Sequence, residues 1–264
     1  MKTVFPDRRT SPSVKMALGL VLLIVAASIA VGLVIARAAT PEMRALIGAW
    51  SSPLWLSIRV AILGTFIATL SGLALGYLLA KGRFRGRDLL EALGSVPIIL
   101  PPTVLGYYLL QHLNPESAVG GVLGDVLGGP VVFHTRGIVI VAAIAGFPFA
   151  LRASRAAIAG VDPRLEEAAR SLGLPEWRVA LTVTLPAARR GLAVGVTLAL
   201  ARALGEYGAT LMVGGDVARH TRTMSVGLSD ARTPEQHNAL ILLMAAIALA
   251  AMVGLVRLER DRVS

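Results

Sequence analysis

The chain contains no cysteine, which excludes a disulfide framework, a thiolate metal site and a cysteine nucleophile. Lysine is nearly missing too, confined to Lys2, Lys15 and Lys81. None of the three stands in a G-x-x-x-x-G-K-[ST] loop, whose lysine reaches nucleotide phosphates, so the chain carries no ATP-hydrolysing loop of that kind. Charge is scarce: 16% of the 264 residues are Asp, Glu, Lys or Arg, against about 25% in an ordinary soluble domain. Aromatics make up 5%, and no basic stripe interleaved with aromatics marks a nucleic-acid surface. His112, His134, His220 and His237 are scattered around loops without ligand spacing. Glu166 and Glu167 are adjacent carboxylates with no nucleophile or oxyanion donor beside them, so no catalytic centre, metal site or resident cofactor is expected.

What is present is apolar sequence. Hydrophobic residues make up 55% of the chain and the mean hydropathy is +0.70. About 20 helical residues cross the hydrocarbon core of a bilayer, and six stretches are candidates: Met16–Ala36, Pro53–Ala80, Leu89–Leu113, Gly137–Leu151 extending toward Ile158, Gly191–Val213 and Ala239–Val256. The fold expected is all-α and polytopic, with about six membrane-crossing helices. Residues 1–15 form a polar tail, 16–36 a peripheral helix, 53–256 the core and 257–264 a second tail. The first apolar stretch, ending near Ala36-Arg37-Ala38, also has the look of a signal peptide. Its run of 21 residues exceeds the usual 7–15 of a signal core, which favours a retained helix.

Basic residues orient the chain. Placing both termini in the cytoplasm puts eighteen Lys and Arg in cytoplasmic segments and six in external ones, as the positive-inside rule requires. That rule accounts for the net charge of +10. Arg59 and Arg202 fall inside apolar stretches; Arg59 sits close enough to an end to snorkel to the outer interface.

The longest cytoplasmic loop, 152–190, reads as helical. Asp162-Pro163 is a helix start, with Asp capping free N–H groups and Pro preorganised at the first helical position. Glu166 and Glu167 lie near the positive end of the helix dipole. Gly173 closes the helix in a left-handed conformation about ten residues later. Ala168 and Ala169 are small enough to let a partner approach closely.

The spacing Glu167-Ala168-Ala169, Gly173, then Val183-Thr184-Leu185-Pro186 resembles the EAA loop of bacterial ABC importer permeases, with Val183 where that family has Ile. The resemblance implies a MetI-like type I permease fold. It implies that this helix docks into a cleft of a separate ATPase chain, with Asp162, Glu166, Glu167, Ala168, Ala169, Gly173, Leu185 and Pro186 as coupling residues. ATP and Mg would be held by that partner. It further implies a second copy of the chain, two ATPase chains and an external binding protein. A bland alternative is an amphipathic helix resting on lipid.

Two further stretches, Leu100-Pro101-Pro102-Thr103-Val104-Leu105-Gly106-Tyr107-Tyr108 and Ala201-Arg202-Ala203-Leu204-Gly205-Glu206-Tyr207-Gly208-Ala209-Thr210, look like the molybdate branch of oxyanion permeases. Molybdate or tungstate is what this resemblance implies as cargo. Sulfate-type permeases carry a related Arg-x-x-Gly-Glu stretch, and an ion-driven secondary transporter is a rival of another class. Arg202 and Glu206, four apart, are expected on one helix face, either as a pathway pair or as an ion pair fixing helix packing. Gly205, Tyr207 and Gly208 join them as gate candidates, with glycine allowing close packing or a hinge. Pro101 and Pro102 should kink the third span.

Overall fold

The computed structural model describes residues 41–228 except Arg83 and Arg219, with isolated positions at 241, 245, 249 and 253. The side chains it describes begin at residue 52. The tails 1–15 and 257–264, most of the expected sixth span and the whole of the expected first lie outside the described residues.

Among these residues the chain is helical throughout, in the order α1 (Pro41–Lys81), α2 (Arg87–Ile99), α3 (Pro102–Leu113), α4 (Ala118–Leu127), α5 (Thr135–Ala159), α6 (Pro163–Ser171), α7 (Glu176–Val179), a π-helical turn (Ala180–Thr184), α8 (Leu185–Leu204), α9 (Gly208–Gly214) and α10 (Met224–Leu228). Among the described residues three helical stretches are long and apolar enough to cross a bilayer, Ser52–Lys81, Thr135–Ala159 and Glu176–Leu204, and the bent pair of α2 and α3 passes the same test together.

The α5 helix is the axis of the bundle, packed between α1 and α8. Small residues set both seams. On α1, Gly64, Ala68, Gly72 and Gly76 recur every four residues, so they share one face. A Cβ at Gly64 would lie 2.6 Å from the Ala142 Cβ, and one at Gly72 2.8 Å from the Ala150 Cβ. On the α8 side, Cβ atoms at Gly191 and Gly195 would lie 2.5 and 2.7 Å from those of Ala157 and Ala153. In lipid the hydrophobic effect does not drive helices together, and backbone approach through small residues supplies the van der Waals contact that does.

Two expected spans are broken. The stretch 89–113 is not one helix: α2 and α3 meet at an angle of 110°. The cause is local. Leu100 (ψ 133°) and Pro101 (ψ 137°) are both extended, because each precedes a proline and a following ring disfavours the helical region. Pro102 then opens α3 at a position that needs no N–H donor. The stretch 191–213 likewise ends at Leu204 and restarts at Gly208. At its other end the helical path begins earlier than the apolar run, passing from α7 through the π-helical turn into α8.

One end of the bundle gathers the end of α1, the end of α5, α6 and the start of α8 around an apolar cluster of Ile158, Val161 and Ala188, flanked by Leu73, Tyr77, Ala80 and Leu185. At the opposite end, the Met224 N–H donates to Ser57 Oγ (2.8 Å) and the Thr135 hydroxyl donates to the His220 carbonyl (2.8 Å), tying α10 and the 215–223 loop to α1 and α5. Arg59 near that end lies over the Trp55 ring at 5.5 Å, so its charge rests on an exposed aromatic face.

Candidate functional site

The loop helix α6 is built as its sequence dictates. Asp162 accepts a hydrogen bond from the Arg164 N–H (2.9 Å) and Pro163 is the first helical residue. At the far end Gly173 has φ +82°. Its N–H donates to the Arg170 carbonyl (2.9 Å), and the Leu174 N–H reaches back to Ala169 (3.3 Å), which is a Schellman closure. The turn into α7 is braced by Arg170, whose Nε lies 2.6 Å from Glu176 Oε1.

This helix has two distinct faces. Leu165, Glu167, Ala168 and Leu172 are exposed, as are the capping Asp162 and Gly173. Glu166 and Ala169 are its two buried residues. Of the two adjacent alanines expected to let a partner approach, Ala168 is exposed, while Ala169, three residues from Glu166, is turned into the chain. Leu185 is half-buried in the apolar cluster and Pro186 is exposed at the start of α8.

Glu166 departs most from its sequence reading. Expected among the residues that meet a partner, it lies in the first turn of α6 but is turned inward. It is 4% exposed, with Lys81 Nζ 2.7 Å from Oε1 and 2.9 Å from Oε2. The buried Thr184 hydroxyl donates to Oε1 at 2.7 Å, and Arg170 Nη2 stands 3.7 Å from Oε2. Burial pushes the carboxyl up, but the hydrogen bonds from Lys81 and Thr184 and the charges of Lys81 and Arg170 outweigh it and hold it below its ordinary value. Sequence reasoning missed Lys81 and Thr184 as its partners. The signal available was that Lys81, alone among the lysines, closes a long apolar run.

The second constellation joins the two helix breaks. The α9 helix packs on α3, where a Cβ at Gly208 would lie 3.1 Å from the Pro102 Cβ and one at Gly106 would lie 2.7 Å from the Ala209 Cα. The breaks at Pro101-Pro102 and Gly205-Glu206-Tyr207 are therefore neighbours, although about a hundred residues separate them in sequence. Glu206 is 2% exposed. Its Oε1 accepts the Ala209 N–H (2.8 Å), its carbonyl accepts the Ser225 hydroxyl (2.8 Å), and its Oε2 lies 2.5 Å from Arg202 Nη1. Gly205 has an ordinary φ of −86°. Pro101, Pro102 and Tyr207 are exposed along the same region. All seven gate candidates thus fall in two adjoining breaks or on the helix ends beside them.

The two arrangements differ chemically. At α6 a charged and apolar face is presented outward on a helix fixed from behind. At the paired breaks the buried charge is balanced inside the chain, and exposed proline and tyrosine surround it.

Comparison with known proteins accords with this architecture. Residues 72–260 match the family described as binding-protein-dependent transport system inner membrane component. The molybdenum transport system permease protein ModB of Escherichia coli (strain K12) is 40% identical over 149 residues, 56% of this chain and 65% of that protein. The chain thus spans just under two thirds of that relative's length. ModB of Azotobacter vinelandii is 31% identical over 175 residues, 66% of this chain and 77% of that one. The molybdate/tungstate transport system permease protein WtpB of Thermococcus kodakarensis is 33% identical over 142 residues, covering 54% and 52%. Among solved structures, a chain of the inward-facing MetNI methionine ABC transporter superposes with a TM-score of 0.64 at 18% identity, covering 84% of this chain and 98% of that one. A chain of a bacterial ABC transporter that imports alginate gives 0.62 at 16% identity, covering 94% and 98%. The fold is that of the ABC importer permeases, and the chain belongs to the family of binding-protein-dependent transport system inner membrane components.

Proposed function

We propose that this chain is the permease subunit of an ATP-binding-cassette importer that moves an oxyanion, molybdate or tungstate, into the cytoplasm. The observation that carries the reading is α6: a short, doubly capped helix with an exposed outer face, held by Lys81 at the end of one bilayer-length stretch and by Thr184 within another. An exposed helix so firmly fixed from behind is suited to receive force from a partner. The names of the relatives supply the cargo.

In this reading two copies of the chain form a pathway at their interface, in a bacterial plasma membrane with both termini in the cytoplasm. Two ATPase chains, which hold ATP and Mg, dock on the α6 helices, and this chain contributes no catalytic group and no cofactor. An external oxyanion-binding protein delivers the anion. ATP binding draws the ATPases together, moves each α6 and opens the pathway outward; hydrolysis resets it and releases the anion inward. At the paired breaks, Arg202 offers positive potential to a passing oxyanion while Glu206 balances it, so the anion is attracted without being trapped. Tyr207, Gly205, Gly208, Pro101 and Pro102 shape the wall there.

The test is reconstitution of the complete complex in proteoliposomes with its binding protein. Molybdate-loaded binding protein is expected to stimulate ATP hydrolysis and anion uptake together. Stimulation by sulfate or thiosulfate and not by molybdate would overturn the cargo. Uptake that persists without the ATPase would overturn the mechanism in favour of an ion-driven carrier.

A further inference from the structure

We infer that Glu166, held by Lys81 and Thr184, is the positioning residue through which movement of α6 is passed to two membrane-crossing helices at once. The inference rests on the reading of α6 as the helix that an ATPase moves.

The argument starts from the inner face of α6, which consists of two buried residues, Glu166 and Ala169. Ala169 contributes one methyl group. Directional attachment therefore falls on the carboxylate, and its two hydrogen-bonding side chains come from different elements. Lys81 is the last residue of α1, and Thr184 is the last residue before α8. One carboxylate thus joins the end of one bilayer-length stretch to another, at the point where its π-helical turn passes into α8. Both bonds are short, at 2.7 Å, and the Thr184 side is fully buried. Charge-assisted bonds of this kind resist displacement better than apolar contact, which permits sliding.

The site where the latch enters α8 is itself unusual. Thr184 closes the π-helical turn Ala180–Thr184. Such wide turns interrupt the regular α-helical ladder and occur often at functional sites. Beside it, Leu185, Tyr77 and Ala80 pack against the cluster of Ile158, Val161 and Ala188 at the end of α5. A push on α6 is then divided between α1 and α8, with α5, to which both are bound by close small-residue seams, as the body they move against.

The test uses the complete complex in proteoliposomes, measuring ATPase association, basal hydrolysis, binding-protein-stimulated hydrolysis and uptake. Lys81→Met and Thr184→Val leave the exposed face of α6 untouched. They are expected to keep ATPase association and basal hydrolysis while uptake per ATP falls about tenfold, within the 5–150-fold range typical of coupling between sites. Glu166→Lys combined with Lys81→Glu should recover part of the coupling that Glu166→Lys alone removes; a merely structural role would move assembly and not uptake per ATP. Native uptake per ATP in both Lys81→Met and Thr184→Val would overturn the inference, as would loss of assembly with coupling unchanged in the complexes that remain. A wild-type complex in which hydrolysis and uptake are not linked would instead overturn the underlying reading of α6.

Discussion

Arg202 and Glu206 are ion-paired across the end of a helix, Nη1 to Oε2 2.5 Å, with Arg202 in the last turn of α8 and Glu206 beyond it. The glutamate does two further things: its other oxygen caps α9 and its carbonyl holds Ser225. The pair therefore fixes the corner between α8 and α9, in addition to any action on an anion. Removing one member of a buried pair costs about 3–5 kcal/mol because the other charge is left unbalanced. Arg202→Ala is expected to lower the thermal stability of the detergent-solubilised protein and to impair assembly or uptake. Glu206→Gln keeps an acceptor for the Ala209 N–H and should be milder. Full uptake by a stable Arg202→Ala protein would dismiss a central role for the pair.

Glycine has different work at different places, and one substitution type separates them. At Gly72 a new Cβ would sit 2.8 Å from both the Ala150 Cβ and the Leu151 main-chain nitrogen. Gly72→Ala should force α1 from α5 and cost about 1–3 kcal/mol, the usual range for overpacking. At Gly205 a Cβ would meet Ala201 O at 3.5 Å, an ordinary contact, and φ is −86°. Gly205→Ala is expected to keep native thermal stability and uptake. Loss of uptake at native stability would instead assign Gly205 a hinge motion.

The contrast between these glycines shows what the sequence could and could not convey. The caps of α6 were legible because Asp162, Pro163 and Gly173 act on their own backbone, and local chemistry decides local structure. The break at Pro101-Pro102 was legible as a kink because the prolines act on their own backbone, but the packing of α3 on α9 was not. The inward turn of Glu166 was not legible. Adjacent carboxylates at the start of a helix ordinarily face water, and it is Lys81, 85 residues earlier, that makes burial of one of them tolerable. The Gly64–Gly76 stripe stands in the sequence at four-residue spacing, but spacing alone does not say that α5 is the helix it faces.

The outer face of α6 yields its own test. Gly173→Pro replaces a residue at φ +82° with one fixed near −65° and removes the N–H that bonds Arg170. Proline cannot take up the left-handed conformation, so the closure of α6 is lost together with this bond, an effect confined to the end of the helix. Asp162→Ala removes the cap at the other end, at about 1 kcal/mol. Glu167→Lys reverses a charge on the exposed face without touching either cap. Membrane insertion should survive all three, while Gly173→Pro and Glu167→Lys abolish ATP-coupled uptake and Asp162→Ala weakens it. Co-purification of the ATPase is the measurement, and native coupling in both Gly173→Pro and Glu167→Lys would contradict docking at this face.

The attachment of α6 should also depend on pH, in a direction that the partners of Glu166 decide. The groups around its carboxylate are Lys81 and Tyr77 from α1, Thr184 from the π-helical turn, Arg170 on α6 itself and Glu176 at the start of α7. Burial raises its pKa, the surrounding bonds and positive charges lower it, and the net value is depressed. A carboxyl depressed on folding contributes stability that is fully present above its unfolded pKa, about 4.3, and is lost as pH falls through the lower folded value. Protection of α6 amides from hydrogen exchange, corrected for intrinsic rates, should therefore stay constant from pH 8 to 5 and fall only in more acidic solution. In Lys81→Met the largest lowering influence is gone while burial remains, so the loss should move to higher pH. Loss of protection in the wild type between pH 7 and 5, or a Lys81→Met profile unchanged from it, would show that the Lys81–Glu166 pair does not hold this helix.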